Sequence, residues 1–186
     1  MKFLDANHIA AQVPSPNAFE PQRTNNFTIQ FIPPAAAGVA NAQDIIALTL
    51  KSFPMPKETS EEIDVWFGNE KRSVTGRTTW DNETLVANDY VDTTIADVMV
   101  AWRKQCYDPA TGKVGWARNY KISGDVLMFG PDGTTIRTWE LRGLWPKEVQ
   151  YGKGTMERAE HNTIEVVFKV DKIVYLGRQL NAVVSA

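Results

Sequence analysis

The amino-acid sequence predicts a mainly β protein, an antiparallel β-barrel or sandwich of six to eight strands with one flanking α-helix. Three observations lead there. Short runs alternate residue types with a period of two, as in Ile164, Val166, Phe168 and Val170 against Thr163, Glu165, Val167 and Lys169. Gly and Pro punctuate these runs at hairpin-like intervals. Only one long segment repeats its apolar residues at helical spacing.

Residues 1–24 set Pro14, Pro16 and Pro21 in a polar background and read as an N-terminal arm, with room for a short helix at Ala6–Gln12. Asn25–Ile32 alternates Phe27, Ile29 and Phe31 against Thr28 and Gln30, and reads as the first strand. Residues 33–43 form a small-residue loop. Asp44–Ser52 reads as a second strand, ended by Phe53-Pro54-Met55-Pro56. Glu62–Phe67 is a third strand, Gly68-Asn69-Glu70 its turn, and Lys71–Thr78 the return strand. Thr84–Ala87 is a short fifth strand.

Asp92–Tyr107 is the helix. Ile95, Val98, Met99, Trp102 and Cys106 make one stripe along it. Asp92 or Thr93 can cap it, and Thr94 with Asp97 resembles a capping box. Arg103 and Lys104 suit the negative end of its dipole. Asp108-Pro109 ends it, and Ala110-Thr111-Gly112-Lys113 turns the chain.

Two strand-like runs follow, around Pro131-Asp132-Gly133. Pro presets φ, Asp bonds its own backbone and Gly accepts positive φ, so a hairpin is expected. Ile122, Val126 and Met128 share one face of the first arm. Arg137, Trp139 and Leu141 share a face of the second, opposite Ile136, Thr138 and Glu140. Leu144-Trp145-Pro146 is expected to stop the pairing. Residues 147–162 read as a polar connection, and Thr163–Tyr175 as one last strand. The domain thus spans 25–175, with 176–186 as a C-terminal tail bearing Leu180, Val183 and Val184.

A chain of 186 residues is long enough for one domain with a real core, without staples. Its 22 acidic and 20 basic residues leave a net charge of −2, which gives no basic excess for tight nucleic-acid or membrane binding. The single cysteine excludes an internal disulfide framework and fits a reducing compartment. Asp5, Asn7 and His8 interrupt any signal-peptide core, and no apolar run is long enough to span a membrane. The Asn26 and Asn82 glycosylation patterns carry little weight without a secretory signal.

Catalytic chemistry finds no constellation. His8 and His161 are the only histidines, and Glu157, Glu160, His161 and Glu165 read as a solvated loop and strand start rather than a metal site. Cys106 lies on the apolar helix stripe, as a core thiol does. Gly152-Lys153-Gly154-Thr155 lacks the upstream glycine and the Lys-Ser/Thr pair of a phosphate loop. The acidic pairs Asp89 with Asp92, and Glu61, Glu62 with Asp64, are ordinary surface features. Among six tryptophans, Trp102 and Trp139 read as core.

Taken in order, these pieces resemble the tail tube proteins of contractile-tailed bacteriophages, a fold shared with the tubes of type VI secretion and of phage-tail-like particles. The segments that carry the resemblance are KSFPMPKETSEEIDVWFGNEKRSVTGRTTW (51–80), the helix with Trp102 and its exit YDPATGKVG (107–115), YKISGDVLMFGPDGTTIRTWELRGLWPKEVQ (120–150) and IEVVFKVDKIVY (164–175). The resemblance implies a structural virion protein, not an enzyme, with no cofactor and no metal. Its hexameric rings would join sheets edge to edge into an inner barrel and stack into the tail tube through which DNA passes. Sheath, baseplate and tape-measure proteins would be its partners, with DNA in transit only and no membrane. It would reside in the virion tail, after assembly in the host cytoplasm. Ring-stacking contacts are expected at Phe53, Met55, Glu62, Asp64, Trp66, Asn69, Glu70, Lys71 and Arg72. The alternatives are a tube component of a type VI or other contractile injection system and, more remotely, a small-ligand β-barrel binder. A hydrolase is disfavoured by the missing nucleophile and histidine set.

Overall fold

The computed structural model describes residues 21–34, 39–91, 95–154, 156 and 161–177. Along them run β1 (Phe27–Phe31), α1 (Ala42–Thr49), β2 (Leu50–Ser52), β3 (Glu58–Phe67), β4 (Glu70–Trp80), β5 (Glu83–Asn88), α2 (Ile95–Cys106), β6 (Tyr107–Asp108), β7 (Lys113–Val114), α3 (Ala117–Tyr120), β8 (Ile122–Phe129), β9 (Thr135–Gln150), β10 (Thr163–Lys169) and β11 (Lys172–Gly177). The protein is mainly β, with antiparallel pairing throughout and a sandwich-like arrangement.

Strands β1-β8-β9-β10-β5-β2 are hydrogen-bonded in that order, and β11 adds to β9. One long strand makes this possible. The first part of β9 pairs with β8 and β11, and its last part, Trp145–Gln150, pairs with β10. Gly143 sits near the end of the first part, opposite the register shift between Ile122 and Ser123, at φ 69°, a left-handed conformation that favours glycine. A Cβ there would also collide with the Asp171 side chain. Asp171 lies between β10 and β11, where the chain likewise passes from one layer to the other. Its backbone N–H donates to the Arg142 carbonyl at 3.0 Å, and its carboxylate pairs with Lys121 Nζ at 2.6 Å. Two chain segments therefore change layer at one shared corner.

Two expectations are corrected here. Pairing does not stop at Pro146: β9 runs on to Gln150, because Pro146 faces Phe168 at a register shift, where a missing N–H is tolerated. Thr163–Tyr175 is not one strand but two, split at Val170-Asp171 and paired to different parts of β9. The expected hairpin at Pro131-Asp132-Gly133 is present. Gly133 takes φ 79°, and Asp132 Oδ1 accepts from the Thr134 N–H at 3.1 Å and its hydroxyl at 2.7 Å.

Asp44–Ser52 is the third correction. It forms helix α1 through Thr49 and only the short strand β2 beyond. Ala42, Ile46 and Thr49 are buried, the spacing of one helical face. Helix α2 buries Ile95, Val98, Met99, Trp102 and Cys106, the expected stripe; its proposed caps at 92–94 lie outside the described residues. The Trp102 ring stands 5.7 Å from Phe31 in β1 and 5.5 Å from Phe168 in β10, so one side chain joins both layers. Its indole N–H donates to the Tyr120 carbonyl at 2.8 Å. Cys106 is a buried free thiol, pushed up by burial.

The exit from α2 is a miniature hairpin of β6 and β7. Asp108 accepts from the Ala110 N–H and the Thr111 hydroxyl, which holds its carboxyl below the usual range. The arm up to residue 20, residues 35–38 and residues 178–186 lie outside the described residues. At the arm's end, Gln22 Nε2 donates to the Phe129 carbonyl at 2.9 Å.

Candidate assembly surface

Among the described residues, strands β3 and β4 pair only with each other. Thr, Val, Ile and aromatic residues favour extended backbone there, and the two-residue loop Gly68-Asn69 closes them, with Gly68 at φ 64°. Every residue of β3 is exposed, as are nearly all of β4. The hairpin projects from the sandwich instead of covering it.

Its two faces differ. Register pairs Ile63 with Val74, Val65 with Arg72 and Phe67 with Glu70, so Ile63, Val65, Phe67 and Val74 form an apolar stretch on a face that also carries Arg72 and Glu70 near the tip. Phe67 is 64% and Ile63 49% exposed, so among the described residues nothing covers this face. The other face carries Glu62, Asp64, Ser73, Lys71 and Trp66, the last also 64% exposed. There Lys71 Nζ lies 2.9 Å from Asp64 and 4.0 Å from Glu62, and the Ser73 hydroxyl donates to Asp64 at 3.2 Å. Exposed pairs of this kind contribute about 0–1 kcal/mol, too little to hold the ribbon. A register shift between Ser60 and Glu62 puts Gly76 beneath Ile63, where a Cβ would lie 3.0 Å from Ile63 Cγ1.

At the hairpin root, a cleft of about 390 Å³ opens between Lys57, Glu58 and Trp80 on one side and Arg137, Trp139 and Tyr175 on the other. Trp80 Nε1 is shielded there without a hydrogen-bond partner among the described residues.

Of the residues expected at ring contacts, Met55, Glu62, Asp64, Trp66, Asn69, Glu70, Lys71 and Arg72 are all exposed. All but Met55 sit on the hairpin and its tip. Phe53 is apart from them, 6% exposed in the core of its own chain. The apolar partner Val74 was not singled out by sequence; the alternation of KRSVTG against the paired strand was the available signal. Among the described residues, no group of three or more His, Cys, Asp or Glu is placed to hold a metal ion. No helix among them is long and apolar enough to cross a membrane.

The chain has the tube-protein fold of phage-tail-like contractile particles. It is similar to a chain of the anti-feeding prophage cap, the cap that terminates the particle's tube, at TM-score 0.66 and 12% identity over 91% of this chain and 98% of that one. It is similar to a chain of the sheath–tube terminator of the extracellular contractile injection system PVC, in the extended state, at TM-score 0.63 and 13% identity over 85% and 98%. The sheath–tube complex of that system gives TM-score 0.62 and 13% identity over 94% and 99%. By sequence, no family model and no curated protein matches the chain.

Proposed function

We propose that the chain is a tube subunit of a contractile tail, in which copies close into six-membered rings, stack, and form a conduit for DNA. One observation carries the proposal: hairpin β3–β4 stands out from the sandwich with an apolar stretch that no described residue covers. A two-stranded ribbon is at best marginally stable in water. Burying each large apolar side chain contributes about 1.5–3 kcal/mol, so a neighbouring copy would supply burial that the described residues do not. Met55, Glu62, Asp64, Trp66, Asn69, Glu70, Lys71 and Arg72 are then the contact set toward the adjoining ring and the lumen. The single-partner strands β1, β2 and β11 offer edges for joining within a ring. On this reading the protein is a building block rather than an enzyme. Sheath, baseplate and tape-measure proteins are its further partners, and virion tails its location.

A second reading has support of its own. The similar structures belong to extracellular contractile injection particles, so the conduit could equally serve an injection system in which DNA is not the cargo. Negative-stain microscopy of the purified protein tests both. Rings or tubes are expected from the native chain and their loss from Val65→Pro, since proline removes a backbone donor inside β3. Native protein that stays monomeric, or normal tubes from Val65→Pro, would refute the assignment.

A further inference from the structure

The β3–β4 ribbon leaves and re-enters the sandwich through Lys57 and Asp81. Their backbones meet, with the Asp81 N–H donating to the Lys57 carbonyl at 3.4 Å. Directly behind this seam is Glu83, the first residue of β5. Its position in the strand makes it inward-facing, in register with Phe168, and it is 2% exposed. A carboxylate so placed ordinarily has an ion-pair partner. Here the neighbouring cations are committed elsewhere. Lys57 Nζ pairs with Asp81 at 3.0 Å. Lys169, from β10, donates to the Trp80 carbonyl at 3.0 Å. Arg103, from α2, donates to the carbonyls of Pro146 and Lys147, each at 3.0 Å. Among the described residues, the hydrogen bond that reaches Glu83 comes from the Lys57 backbone N–H, at 3.4 Å from Oε1. The charge beside it is the acidic Asp81.

We propose that Glu83 is a proton-operated latch at the root of the β3–β4 hairpin. Neutral, the carboxyl suits its apolar site and the seam closes over it. Ionised, it draws in water at the point where both hairpin strands enter, and the ribbon is released to move. Burial pushes this carboxyl from 4.5 up to about 7, with the Lys57 N–H pulling it down and Asp81 adding to the rise. The folded state therefore favours the protonated form. Its contribution to stability is complete below pH 4.5, is lost as pH climbs from there to about 7, and changes no further above. The latch is closed in mild acid and open in mild alkali. A ribbon that must find a neighbour would thus be held in one orientation at low pH and search at high pH.

The test uses the dispersed, full-length subunit, so it stands apart from the tube reading. Amide hydrogen exchange at Lys57 and Asp81, corrected for intrinsic rates, is followed between pH 5.5 and 8.5. Exchange is expected to speed up about tenfold across this range in the native protein and to stay level in Glu83→Gln, which keeps the acceptor and removes the charge. Equal acceleration in both proteins would overturn the latch. Should Glu83→Gln fail to fold, carboxyl NMR on the native chain decides the matter. A glutamate titrating near 7, with the Lys57 amide shift following the same midpoint, supports the latch. A Lys57 amide that does not move with that carboxyl refutes it.

Discussion

Gly143 and Trp102 show how far single residues govern this molecule. Gly143 combines a left-handed φ with a side-chain contact from Asp171, so a methyl group there meets both backbone strain and a collision. Gly143→Ala is expected to cost about 2 kcal/mol or more, read as a lowered urea midpoint at unchanged slope. A loss below about 0.5 kcal/mol would mean that the corner adjusts freely. Trp102 touches Phe31 and Phe168 and donates to Tyr120. Trp102→Ala should cost about 3–5 kcal/mol in the same melt; a cost under 1 kcal/mol would contradict its core placement. Trp102 was legible in the sequence, because its stripe is local. Gly143 was not, because its partner Asp171 is distant in the chain and a positive φ leaves no mark of its own.

Among the elements, hairpin β3–β4 is the one whose energetics point outward. Replacing Ile63 and Phe67 together by Ser should leave subunit stability within about 0.5 kcal/mol, as surface changes do. The same variant should lose tube formation in sedimentation and microscopy. A large fall in subunit stability would show that the apolar face packs at home. Alternation and a Gly-Asn turn made this hairpin readable. Residues 44–49 were misread because Ile45, Ile46 and Thr49 are β-branched, strand-favouring types, although burial of Ala42, Ile46 and Thr49 follows helical spacing. β9 was cut short in the sequence reading because proline usually ends pairing; the register shift opposite Phe168 that accommodates Pro146 depends on another strand. Glu83 passed unnoticed for a similar reason: a Glu at a strand start looks solvent-facing until its neighbours close over it.

At the scale of the whole molecule, the mainly β class was visible in turn spacing and alternation, while the strand order was not. That order depends on which edges meet, and the crossings at Gly143 and Asp171 are tertiary events. The corner they share has a consequence for how the protein comes apart. Since β9 is a member of both layers and β10–β11 passes between them beside it, neither layer can melt alone without tearing a strand common to the other. Unfolding should therefore be all-or-none across the sandwich. In native-state exchange, amides of β8 and of β10 are expected to share one opening free energy and one denaturant slope, to within about 0.5 kcal/mol, whereas amides of β3 and β4 open at far lower cost. Two distinct slopes for β8 and β10 would instead make each layer a separate folding unit, with Gly143 acting as a hinge.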